Sequence, residues 1–161
     1  ALLLAIGAIL HLVTPNIAGL TLNWMIAMYC LAINLVRPTL GQVIGIGLVA
    51  GALNVPTSKS AIPYANLISE PIGALTCALF LPLVSRLNIG GLPLAPGLTG
   101  FFSTVASGFT FVTLLKVILS IPNEVYLYGM LPVVLAVGAA NGVITQLLYL
   151  PARKLLNRQE D

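Results

Sequence analysis

Charge is what this chain has least of. Charged residues make up 7% of its 161 residues, against roughly 25% in ordinary soluble domains, and the mean hydropathy is +1.04. A soluble fold of this size cannot hide so much apolar surface. Catalytic signatures are missing as well. No Gly-x-x-x-x-Gly-Lys-Ser/Thr loop occurs, which excludes ATP hydrolysis by that route. No Gly-x-Ser-x-Gly, His-Glu-x-x-His or paired membrane aspartates occur, so the chain is not expected to be an intramembrane hydrolase or any other enzyme. A single histidine and two cysteines leave no ligand set for a metal. Cys30 and Cys77 lie inside apolar spans and read as small core residues. Neither a cofactor nor a metal is expected. No internal repeat of the kind found in inverted-repeat transporters is present. The first apolar run lacks a small-residue cleavage pattern and leads into Pro15-Asn16-Ile17-Ala18-Gly19, unlike a cleaved signal peptide.

The charges that are present are sorted. Five of the seven Lys and Arg residues, Arg37, Arg86, Arg153, Lys154 and Arg158, fall at the second, fourth and last borders between apolar stretches. Cytoplasmic borders carry such an excess under the positive-inside rule. The excess of basic over acidic residues therefore reflects topology, and nucleic acid is not an expected partner. The expected fold is an all-α integral membrane protein, a six-transmembrane-helix bundle with both termini inside, forming one domain over residues 1–161. A helix needs about 20 apolar residues to span roughly 30 Å of hydrocarbon, and punctuation places the spans at residues 1–14, 23–36, 39–53, 62–85, 97–120 and 125–150. Span one is short for a crossing and has no initiator Met, so residues upstream of Ala1 are expected to be missing. Residues 54–61 read as a polar outer loop, residues 87–96 as an irregular inner connection, and Pro151 as the end of span six.

Helices in lipid associate where small residues let backbones approach. Gly41-xxx-Gly45 and Gly47-xxx-Gly51 in span three, Gly100-xxx-Thr104-xxx-Gly108 in span five and Gly138-xxx-Gly142 in span six are candidate seams. Ala1 and Ala5, four residues apart, share a face of span one and make a smooth patch for another helix.

Polar residues inside the outer half need a reason. Glu70 lies about eight residues into span four, roughly 12 Å below the border, where an ionised carboxylate costs on the order of 3 kcal/mol unless paired or wetted. It is the leading ligand-binding candidate; its alternative role is an internal ion pair with Lys59 or Lys116. Asn66 stands one turn above it, Lys59 precedes the same helix, and Pro63 and Pro71 loosen it. His11 reads equally as a ligand contact or a hydrogen-bonded structural residue. Asn23 and Trp24 begin span two, where Trp24 either anchors the interface or stacks on a ligand. Lys116 either snorkels or pairs with Glu124. Asn141 is the deep amide with the better reach into a cavity, and Gln146 bonds a neighbouring helix.

The stretch from Ala1 to Pro15 (Ala-Leu-Leu-Leu-Ala-Ile-Gly-Ala-Ile-Leu-His-Leu-Val-Thr-Pro), with Ile46 to Leu53 (Ile-Gly-Leu-Val-Ala-Gly-Ala-Leu), resembles the substrate-binding S components of energy-coupling factor transporters. Within that group it looks most like the tryptophan-transporter type. The resemblance implies a multi-pass subunit of a bacterial cell membrane, in contact with lipid, that binds a small solute from outside. It also implies partners: a transmembrane coupling protein, met through an alanine motif that matches Ala1 and Ala5, and two cytoplasmic ATPases that supply the energy. Tryptophan, another amino acid held by Glu70 and Lys59, or a cationic vitamin is the expected class of solute. Two rival readings stand beside this one, a free-standing secondary transporter and a membrane assembly subunit with no ligand.

Overall fold

A computed structural model describes residues 1–15 and 22–157. Arg158, counted above among the inner basic residues, lies outside the described residues. Among the described residues the chain forms six α-helices and one small hairpin: α1 (Leu2–Val13), α2 (Trp24–Val36), α3 (Leu40–Thr57), α4 (Asn66–Val84), β1 (Asn88–Ile89), β2 (Leu92–Pro93), α5 (Ala95–Leu119) and α6 (Leu131–Asn157). A 3₁₀ turn (Pro63–Ala65) leads into α4, and a π-helical turn (Val125–Met130) leads into α6. The helices α3 to α6 are long and apolar enough to cross a membrane, whereas α1 and α2 are shorter apolar helices. At 13 residues, α2 is about 20 Å long.

That short helix is the centre of the molecule. Its residues Met25 to Leu31, with Ile33 and Asn34, are buried, and it touches all five other helices. A helix that is apolar all round belongs inside a bundle. Around it α3 packs on α4, α4 on α5 and α5 on α6, while α1 lies against α2 and α3. The outward faces carry exposed Leu, Ile and Val, among them Leu2, Ile9, Leu48, Leu83, Val117 and Leu147, as lipid contact demands. Cys30 and Cys77 are buried, free thiols in the core.

Local chemistry sets the element ends. Asn23 caps α2, its Oδ1 accepting from Ile26 N at 3.4 Å. Arg37 closes the same helix in the left-handed region at φ 49°, and Pro38 forbids its continuation. At the start of α3 the Gln42 side chain accepts from Thr39 N at 2.9 Å. Three expectations need correction here. Residues 87–96 are not irregular: Gly90 and Gly91, at φ 58° and 83°, supply the two positive-φ positions of a tight hairpin turn between paired Ile89 and Leu92. Helix α5 begins at Ala95 rather than Gly97, because Pro96 sits in the first turn, where a missing N–H costs nothing. Helix α6 runs through Pro151 to Asn157, its surrounding bundle tolerating the lost bond.

The glycine pairs divide into seams and open faces. A Cβ on Gly51 would lie 2.7 Å from Asn66 O and 3.0 Å from Leu67 Cα, so α3 meets α4 backbone to backbone. Gly100, Gly108, Gly138 and Gly142 make the corresponding α5–α6 contact. Gly41 and Gly45 do not belong to a seam: nothing lies within 4 Å of a Cβ at either.

Candidate functional site

The helix that carries Glu70 is pinned to α3 at Gly47 and Gly51, which meet Pro71 and Asn66. The Glu70 side chain is completely buried. Its Oε1 accepts from Asn23 Nδ2 at 2.9 Å and from Asn54 Nδ2 at 2.8 Å, so α2, α3 and α4 converge on one oxygen. Asn23 does this while capping α2 through its other amide atom, which fixes which way the amide points. Oε2 has no partner. Neither Lys59 nor Lys116 pairs with the carboxylate in a hydrogen bond, so the internal ion-pair alternative fails among the described residues.

Glu70 lines a half-open cavity of about 330 Å³ together with His11, Asn23, Asn54, Lys59 and Asn66. This volume lies near the lower end of small-molecule sites, roughly 300 to 1,000 Å³. Ser69, Thr104 and Ser107 add hydroxyls, while Phe111, Val112, Val133, Val134 and Val137 form an apolar wall from α5 and α6. The cavity has a polar floor on one side and a hydrocarbon wall on the other.

Among the described residues four buried side-chain atoms lack a hydrogen-bond partner: Glu70 Oε2, Asn54 Oδ1, Ser69 Oγ and Asn141 Oδ1. Three of the four can only accept, and the fourth is a hydroxyl that accepts as readily as it donates. Buried polar atoms in native proteins are almost always bonded, each orphan costing about 1–3 kcal/mol. The three that belong to cavity-lining residues, Glu70, Asn54 and Ser69, therefore offer a site for a donor.

The sequence-predicted residues separate into two groups. His11, Asn23, Lys59, Asn66 and Glu70 all line the cavity. His11 Nδ1 donates to Leu22 O at 3.2 Å, and Asn66 Nδ2 to Pro63 O at 2.8 Å, so both are also structural ties. Trp24 and Asn141 do not line it. The Trp24 indole donates to Thr14 Oγ1 at 2.8 Å, joining α2 to the end of α1. Asn141 reaches the rim of the site from behind, donating to Asn23 O and Thr104 Oγ1, each at 3.1 Å. Lys116 stands over the Tyr126 ring, 4.7 Å from its centroid, a cation–π contact in place of the pairing with Glu124 that was one of its two expected roles. Gln146 bonds Gly97 N and Pro93 O, both at 2.9 Å, and holds α6 to the start of α5. Ala1 and Ala5 face outward from α1, with Leu4 and Gly7 turned into the bundle. No three His, Cys, Asp or Glu residues cluster as metal ligands among the described residues.

Compared with known proteins, residues 1–157 match the family model described as "Tryptophan transporter TrpP". The chain belongs to the TrpP family. TrpP proteins are S components of energy-coupling factor transporters, and membership together with four membrane-capable helices makes this chain a multi-pass membrane protein of solute transport. Neither the curated proteins nor the solved structures give a match. The TrpP-family chain also contains a site residue that sequence reasoning assigned to a loop. Asn54 was expected outside the membrane but lies in the last turns of α3, 2% exposed, bonded to Glu70. Its position was readable from the helical spacing Gly47, Gly51, Asn54, which is one face at i, i+4, i+7.

Proposed function

We propose that the chain captures tryptophan from outside a bacterial cell as the S component of an energy-coupling factor transporter. One observation carries the assignment of the site: buried oxygens on α3 and α4, without partners among the described residues, belong to side chains that line an open cavity. An α-ammonium brings three N–H donors and a positive charge, matching Glu70 Oε2 and the orphaned oxygens beside it. The Phe111 and valine wall accepts an indole, which needs apolar contact and little hydrogen bonding. The family's description as a tryptophan transporter supports the identity of the amino acid.

In this reading all six helices cross the membrane with both termini inside. Arg37 and Arg153 border one cleft at the end opposite the cavity, in keeping with a cytoplasmic face. The chain hydrolyses nothing itself. A coupling protein docks on the outward face of α1 at Ala1 and Ala5, and two ATPases bound to it supply the energy for release inside.

Equilibrium binding of radiolabelled tryptophan to the purified chain tests the site. Glu70→Gln keeps the shape and removes the charge. Removing one side of a buried charged hydrogen bond costs about 3 kcal/mol, so affinity is expected to fall roughly a hundredfold. Undiminished affinity in this variant, with the protein still folded, removes Glu70 from the site.

A further inference from the structure

We infer that the site recognises the ammonium and the aromatic body of its ligand and takes little from the carboxylate, so that aromatic primary monoamines occupy it as well. The inference rests on the tryptophan-binding reading and extends its substrate class.

The asymmetry lies in where the donors and acceptors stand. For an ammonium, the cavity offers Glu70 Oε2, Asn54 Oδ1 and Ser69 Oγ, all buried and all without partners, on side chains already held by packing and by bonds from Asn23 and Asn54. Such a preorganised set loses little entropy on binding. For a carboxylate the cavity offers the neutral hydroxyls of Ser58, Ser60 and Ser107 and no buried cation among the described residues. Lys59 lines the cavity but is exposed, and an exposed ion pair is worth about 0–1 kcal/mol, at most roughly fivefold in affinity. The other outer lysine, Lys116, lies over the Tyr126 ring. His11 commits Nδ1 to Leu22 O. Residues 16–21 contain no basic side chain.

The electrostatic balance points the same way. An ionised Glu70 gives the site one buried negative charge, met by the Asn23 and Asn54 amides and the nearby Tyr29 hydroxyl, with no cation among the described residues paired to it. An amino acid brings a compensating positive charge together with a second negative one on the adjacent carbon. In a cavity of low dielectric that second charge is repelled by Glu70. An arylethylamine brings the positive charge only.

Competition against radiolabelled tryptophan on the purified full chain decides the matter without any variant. Tryptamine is expected to displace the label with an affinity within about tenfold of tryptophan, while indole-3-propionate, which has the carboxylate and no ammonium, is expected to be weaker by roughly a hundredfold or more. Tryptophan that binds while tryptamine falls short by more than about tenfold overturns the inference and leaves the proposed function standing. Failure of tryptophan itself to bind removes the proposed function; labelled tryptamine then tests the inference directly, with saturable binding lost in Glu70→Gln supporting it and no binding overturning it. As a second readout, Lys59→Gln is expected to change tryptophan affinity by less than about fivefold and leave tryptamine unaffected. A larger loss for tryptophan alone shows that Lys59 reads the carboxylate and overturns the inference.

Discussion

Glu70 was legible in the sequence because a carboxylate beneath an apolar surface is costly wherever it points, and only pairing or wetting relieves it. Its two amide donors were legible unequally. Asn23 precedes an apolar run in the position of an N-cap, so its place at the head of α2 followed from local chemistry. Asn54 was hidden by its neighbours: Asn-Val-Pro-Thr-Ser reads as a turn, yet α3 continues through Pro56 to Thr57. Pro56 sits in the last turn and deprives only the i−4 carbonyl, that of Ala52, of its donor, while the Thr57 hydroxyl adds bonds to Leu53 O at 3.2 Å and Asn54 O at 3.4 Å. Asn54→Ala removes a hydrogen bond to a charged group, worth about 2 kcal/mol, and the expected result is a roughly thirtyfold weaker tryptophan affinity in the same binding assay. Trp24→Phe is expected to leave that affinity unchanged, since the indole bonds Thr14 and does not line the cavity. The apolar wall was not legible at all, because Phe111 and the three valines of α6 look like any other residues of a membrane helix until the bundle brings them opposite Glu70.

Among the helices, the small-residue spacings were read correctly as packing devices but not as to which faces they serve. Gly47-xxx-Gly51 and Gly41-xxx-Gly45 have the same pattern on the same helix, and only the first meets a neighbour. The difference comes from α4, whose Asn66, Leu67 and Pro71 backbone fills the groove over one face of α3. Sequence spacing contains no information about where that second helix lies. Gly51→Ala pushes a methyl to within 2.7 Å of Asn66 O, an overpacking that costs about 1–3 kcal/mol and is expected to lower the midpoint of thermal unfolding. Gly45→Ala meets open space and is expected to leave the midpoint unchanged or raise it slightly, since alanine loses less backbone entropy than glycine in a helix. Measured together in one detergent, the pair isolates contact from composition.

For the whole molecule, the plan of six helices followed from hydropathy and from the placement of Arg and Lys, because lipid permits so few alternatives. The ends of spans three and six were less legible, since prolines that break helices in water persist inside a bundle, and span five starts early because Pro96 suits a first turn. Helix α1 keeps Ala1 and Ala5 exposed. Ala5→Phe adds bulk to that face, and the expected outcome is lost uptake in cells or vesicles holding the complete transporter, with tryptophan binding by the isolated chain retained. Equal loss of both places Ala5 in internal packing instead. The junction at Glu70 has a mechanical meaning for such uptake. Because Asn23, Asn54 and Glu70 belong to three separate helices and share one oxygen, a load on any one of α2, α3 or α4 is passed to the other two through that joint, at the wall of the very cavity the proposed function fills.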